Sequence, residues 1–240
     1  WVSNRFSSIG GVQIHYRRGG LADARPAILS DGITDSSECW PAIDERLAEH
    51  FDVIKVDARG HGLSDQPDGG YSYTKLVNDL LELIRQLDLH EPLLIGHSMG
   101  AQASAMLAGV APEIPWRVVL EDPPWRHPDP DGPPGGGYGE IIRYFADLPL
   151  SDIAESGRLL HANWEEDELD PWVRSKHQVI EATAETLRFV DWQKTVDALV
   201  CPALLLTGDQ SSGAIVPASI ARDAAARNPL LRHTHLAGAG

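Results

Sequence analysis

Gly96-His97-Ser98-Met99-Gly100 constrains this chain more than any other part of its sequence. The five residues follow the apolar run Leu93–Ile95 and lead into Ser98–Gly109, a stretch rich in small residues. A strand turning this sharply into a helix forces its middle residue into a strained backbone conformation. Small residues at 96 and 100 keep the two arms from clashing. Ala101 and Ala103 then let the helix lie close on a sheet. The serine hydroxyl is held out over the sheet edge, and the helix N-terminus beside it offers N–H groups to developing negative charge. Such a turn needs a buried strand followed by a helix, so an α/β chain is expected.

The rest of the hydrophobic pattern agrees. Ala27–Leu29, Val53–Val56, Val118–Leu120 and Ala203–Leu206 read, with Leu93–Ile95, as buried parallel strands. Val12–Tyr16 reads as a strand of an antiparallel entry hairpin, and His233 and His235 sit on the expected last strand. Leu76, Val77, Leu80, Leu81, Ile84 and Leu87 recur at helical spacing, and Ile220–Arg227 reads as another helix. Alternation of this kind implies a mostly parallel central sheet with flanking helices. Ligands of such sheets sit at the carboxyl ends of the strands, which directs attention to the polar turns there. One segment departs from the alternation. Pro123–Gly139 reads as loop, and Glu140–Phe145, Ile153–Asn163 and Val173–Phe189 read as helices with no strand between them. The expected organisation is a core of residues 1–122 and 191–240 with a helical lid, 123–190, over the rim.

Composition narrows the function classes. The 240 residues carry 20 Lys+Arg against 35 Asp+Glu, a formal charge of −15. A surface this acidic repels nucleic acid and anionic membranes, and no apolar run approaches the roughly 18 residues of a membrane span. Cys39 and Cys201 form neither a metal-ligand spacing nor a disulfide framework. With no basic-then-apolar leader at Trp1, a reduced, cytoplasmic protein is expected. No glycine-rich dinucleotide signature and no metal-ligand cluster is present, so neither cofactor nor metal is expected. The expected partner is a small molecule; self-association into a homo-oligomer stays open.

With Gly96–Gly100 in this context, the chain resembles the α/β-hydrolase superfamily. Asp57-Ala-Arg-Gly-His-Gly-Leu-Ser-Asp65 matches the loop that commonly follows the fourth strand there, an element in which His61 has a packing and turning role. Asp31-Gly32-Ile33 occupies the position of the family's oxyanion loop. Many members have His-Gly at that point; Asp-Gly is also seen in zearalenone-type lactone hydrolases, a weaker resemblance. The resemblance implies the α/β-hydrolase fold and a serine hydrolase acting on an ester or lactone. Ser98 would be the nucleophile, and the N–H groups of Met99 and of Gly32 or Ile33 the oxyanion hole.

A catalytic serine needs a base, and the base an orienting acid. By resemblance the histidine is expected at the residue that would follow Gly240. His97, His233 and His235 are not read as the base. The family's usual acid, three residues after Gly208, is replaced by Ser211. Glu121, which ends a strand and is followed by Asp122-Pro123, is the favoured acid, with Asp209 second and Asp122 third. Asp31, Trp125 and Trp172 are the substrate-pocket candidates. C–C bond hydrolysis, cofactor-free perhydrolysis and a catalytically impaired ligand-binding role remain as alternatives on the same framework. The absence of an aspartate at position 98 excludes dehalogenase and epoxide-hydrolase chemistry.

Overall fold

Each run read as a buried strand forms one. The computed structural model describes residues 1–127, 134–161, 164–187 and 190–239. Its strands are β1 (Val2–Ser7), β2 (Gln13–Gly20), β3 (Pro26–Ser30), β4 (Asp52–Val56), β5 (Leu93–His97), β6 (Arg117–Glu121), β7 (Ala203–Thr207) and β8 (Leu231–His235). They build one sheet in the order β1-β2-β4-β3-β5-β6-β7-β8. β2 pairs antiparallel with β1 and β4; from β4 to β8 every pairing is parallel. The helices are α1 (Pro41–Ala48), α2 (Tyr73–Gln86), α3 (Met99–Val110), α4 (Tyr138–Asp147), α5 (Leu150–Leu160), α6 (Glu166–Ser175), α7 (Trp192–Asp197) and α8 (Ala218–Arg227).

Strand alternation divides the core. Ile28, Ile54, Leu94, Val118 and Leu120 face one side, where α2, α3 and α8 deliver Leu80, Leu83, Leu107 and Ile220. Ala27, Leu29, Val53, Leu93 and Ile95 face the other, against Trp40, which precedes α1, and Leu47 within it. Both faces of the central strands are therefore apolar, as a covered parallel sheet requires. Helix α2 begins where Ser72 accepts a hydrogen bond from the Lys75 N–H. It buries Leu76, Val77, Leu80, Leu83 and Ile84 and leaves Glu82 and Arg85 outside. Each such aliphatic side chain contributes about 1.5–3 kcal/mol when fully buried.

The segment between β6 and β7 contains helices and no strand among its described residues, and its helix boundaries differ from those read in the sequence. The helix expected over Val173–Phe189 does not form as one unit. Helix α6 starts earlier, where Glu165 and Glu168 form a capping box, and ends at Ser175. There the Ser175 hydroxyl turns to the Thr34 carbonyl, 2.9 Å away, and the Lys176 ammonium to the same carbonyl at 3.0 Å. A 3-10 turn, Glu181–Leu187, follows. Phe189, Asn163 and residues 128–133 of the expected loop, like Gly240, lie outside the described residues. Helices α5 and α6 enclose a small core of their own, Ile153, Leu169 and Val173. The Ile180 N–H donates to the Gly60 carbonyl at 3.3 Å. The segment thus rests on the loops that leave β3 and β4 at their carboxyl ends.

Candidate active site

Ser98 takes the strained conformation its sequence context demands, with φ 48° and ψ −110°. A Cβ on Gly96 would lie 2.4 Å from the Gly100 carbonyl carbon, and one on Gly100 would lie 2.1 Å from the Ser30 carbonyl oxygen. The turn therefore closes only with glycine on both arms. Two hydrogen bonds lock it: Ser98 N–H to the Glu121 carbonyl at 2.8 Å, and Gly100 N–H to the Asp31 carbonyl at 3.0 Å. They tie the Ser98 turn to the end of β6 on one side and to the loop after β3 on the other. Met99 opens α3, so its N–H belongs to the first helical turn, which has no intrahelical acceptor. Gly100→Ala should destabilise the fold by about 3 kcal/mol or more, because backbone meets backbone and neither can yield. Gly139→Ala, whose new methyl would meet its nearest neighbour at an ordinary 3.5 Å, should cost far less. Chemical denaturation of the two variants reads the difference.

The loop after β3 is held from several directions. His61 is buried, and its two ring nitrogens face the Ile33 carbonyl at 2.7 Å and the Arg59 carbonyl at 3.0 Å. Burial lowers its pKa, against the two carbonyls that raise it. His61, and with it the loop after β4, thus fixes the peptide at Ile33. Lys176, almost fully buried, reaches the Thr34 carbonyl, the Thr34 hydroxyl and Asp35 Oδ1, each at 3.0 Å. Burial would raise the Asp35 pKa, but Lys176 and His97 outweigh it and hold the carboxylate well below its ordinary range. Nothing in the sequence marks Lys176; a lysine within an expected helix reads as a solvated charge. Asp31 is 4% exposed. Trp40 Nε1 donates to its Oδ1, while Oδ2 has no partner among the described residues. Burial first, then the charges of Asp57 and Asp35, push its pKa well above the ordinary carboxylate range.

The three candidate acids have different surroundings. Glu121 is the last residue of β6, in register with His97. It is exposed, and it lines the same cavity as His97. Asp122 follows in a left-handed conformation, φ 41°, and its N–H donates to the Leu206 carbonyl at 2.9 Å. That twist brings its carboxylate against the loop after β7, where it accepts from the Ile215 N–H at 2.7 Å and the Val216 N–H at 3.0 Å. Asp209 binds the Gly238 N–H at 2.7 Å and His235 Nε2 at 2.9 Å. These bonds lower its pKa. His233 and His235 both reach Thr207 Oγ1, at 2.8 and 3.3 Å, and so share one face of β8.

Of the pocket candidates, Asp31 and Trp172 meet and Trp125 does not. A cavity of about 370 Å³ opens beside the loop after β3, lined by Asp31, Gly32, His97, Glu121 and Trp172 among others. Trp125 is fully buried instead. Its indole N–H donates to Gln102 Oε1 at 2.7 Å and its ring stacks on Trp192. It anchors the start of the β6–β7 segment on α3 and α7, and for that reason it is no part of the pocket. No group of three or more metal-ligating side chains is found among the described residues.

Comparison with known proteins agrees with this geometry. The model of the alpha/beta hydrolase family matches residues 29–240. N-formylmaleamate deformylase of Pseudomonas putida is 31% identical over 224 residues, covering 89% of this chain and 81% of that protein. The 2-(acetamidomethylene)succinate hydrolase of Mesorhizobium japonicum is 37% identical over 122 residues, 51% of this chain and 43% of its own. The solved enol-lactonase from Burkholderia xenovorans has a TM-score of 0.77 at 26% identity, covering 97% of this chain and 91% of that one. The strand order, the serine turn and these likenesses converge, and the chain belongs to the alpha/beta hydrolase family.

Proposed function

We propose that the protein hydrolyses a carboxylic ester or lactone by covalent catalysis on Ser98, with Asp122 as the orienting acid. The observation that carries this reading is the strained Ser98 turn, hydrogen-bonded to the peptide that precedes Asp122. In the reaction, Ser98 Oγ attacks the carbonyl carbon. Its proton passes to the imidazole of a general base, which then gives it to the leaving alkoxide. Water, deprotonated by the same imidazole, releases the acyl group. The oxyanion of each tetrahedral intermediate meets the N–H groups of Met99 and of Gly32 or Ile33. Losing one such donor costs about 2.7–4 kcal/mol of transition-state stabilisation, which gives the His61 and Lys176 anchors of that loop a purpose.

Three observations favour Asp122 over the Glu121 expected from sequence. Glu121 shares a cavity with His97, away from the loop after β7. Asp122 takes its φ of 41° at an energetic cost that such sites characteristically carry. Its carboxylate receives two backbone N–H groups, which fix it while leaving lone pairs for an imidazole. Asp209 is already committed to His235 and Gly238. The helices between 123 and 190 act as a lid in this reading, a role supported by their contacts with Thr34 and Gly60.

The relatives favour a second reading of the scissile bond. One is by name a deformylase and another the hydrolase of an acetamido compound, so an N-acyl bond could take the ester's place on the same residues. Turnover of matched acetate esters, a δ-lactone and N-formyl and N-acetyl amides by the full-length protein separates the two. Ester and lactone turnover exceeding amide turnover at equal acyl group supports the first reading; the reverse order replaces it with the second.

A further inference from the structure

A second serine on this chain has the partners of a nucleophile. The antiparallel β1–β2 ladder sets Ser3 opposite Arg17 and Arg5 opposite His15. Ser3 and His15 are therefore diagonal neighbours on one face of the sheet. Ser3 Oγ lies 2.6 Å from His15 Nε2, and His15 Nδ1 lies 2.6 Å from Asp57 Oδ2. His15 and Asp57 are each 1% exposed, whereas Ser3 is exposed. A solvent-facing hydroxyl is thus backed by a buried imidazole and a buried carboxylate.

The buried pair is fixed by its surroundings. Asp57 accepts the Ser37 N–H at 2.6 Å and the Leu63 N–H at 2.9 Å, and its own N–H donates to the His15 carbonyl at 3.1 Å. The His15 N–H donates to Ser64 Oγ at 2.8 Å. Burial would raise the Asp57 pKa, but the bonds from His15, Leu63 and Ser37 outweigh it and lower it. An ionised carboxylate only accepts, so the proton of a neutral His15 sits on Nδ1 and Nε2 accepts from the Ser3 hydroxyl. That is the tautomer a general base needs.

We propose that Ser3 is a second nucleophile, which takes the acyl group of a small activated ester with His15 as base and Asp57 as its orienting acid. Such a set is recognised by its hydrogen bonds and roles rather than by sequence position. Ser3 Oγ bonds to the acyl carbon, and the bond from that carbon to the leaving oxygen breaks. The hydroxyl proton passes to His15 Nε2 and from there to the leaving oxygen, so acyl-Ser3 and an alcohol or phenol are formed. Strands β2, β4 and β3 separate β1 from β5, about 19 Å of sheet. The site shares no residue with the Ser98 turn and does not rest on the reading proposed for it.

The test is acetylation of full-length Ser98→Ala protein by p-nitrophenyl acetate, followed at each serine by peptide mass spectrometry, with fragmentation to separate Ser3 from neighbouring amines. Ser151 is the reference: it is exposed and donates to Asp152 at 2.9 Å, a carboxylate without an imidazole between. Ser3 is expected to be acetylated about 100-fold faster than Ser151, the lower end of what a positioned base contributes. The advantage should vanish in denaturant, where the three side chains separate. His15→Gln keeps an N–H for Asp57 but cannot take up a proton, and should bring Ser3 down to the Ser151 rate. Ser3 reacting no faster than Ser151 in the folded protein, or keeping its advantage in denaturant or in His15→Gln, overturns the proposal.

Discussion

Ser98→Ala should lower kcat by about 10⁶-fold, the loss expected when the nucleophile of a triad is removed. The substitution deletes one hydroxyl and leaves the glycine pair, the bond to the Glu121 carbonyl and the bond from Gly100 to Asp31 in place. The fold should therefore persist. Ser98→Gly should be equally inactive yet more stable than Ser98→Ala by about 1 kcal/mol, since glycine accepts a positive φ without steric cost. Steady-state turnover and denaturant unfolding of the two variants check both parts. A Ser98→Ala protein with turnover near wild type would remove Ser98 from the chemistry.

Asp122→Asn is expected to cost about 10⁴-fold in kcat, because an imidazole without its orienting charge adopts the wrong tautomer. Stability should fall less markedly, since the asparagine oxygen still accepts one of the two N–H groups from Ile215 and Val216. Asp209→Asn, whose carboxylate is partly exposed and engaged with His235, should lose much less activity. Glu121→Gln should fall between wild type and Asp122→Asn. Turnover of all three on one uncharged ester gives the ranking. A larger loss at 121 or 209 than at 122 would move the acid to that position.

The serine turn is legible in the sequence because its requirements are steric and local: glycines at 96 and 100, an apolar run before, small residues after. The parallel strands are legible for a similar reason, since a strand covered on both faces needs a continuous apolar run. The choice between Glu121 and Asp122 is not. Adjacent carboxylates at a strand end differ only in where the backbone turns them, and the positive φ of Asp122 has no sequence signature in a residue other than glycine. Helix α1 is held by the buried Lys55–Asp44 pair and by Leu47 packing, neither of which is a periodic signal. A tryptophan near a rim, such as Trp125, reads as a pocket wall, while the partner that buries it, Gln102, lies 23 positions away in sequence. Val173–Phe189 reads as helical from composition, but the side chains of Ser175 and Lys176 find better partners on the Thr34 loop.

The most direct measurement is the site and rate of labelling by a fluorophosphonate in the full-length protein, mapped by peptide mass spectrometry. One equivalent on Ser98, with labelling strongly slowed in Asp122→Asn, is the expected result. Inactivation with Ser98 unmodified and the label on another residue would contradict a nucleophile at the Gly96–Gly100 turn.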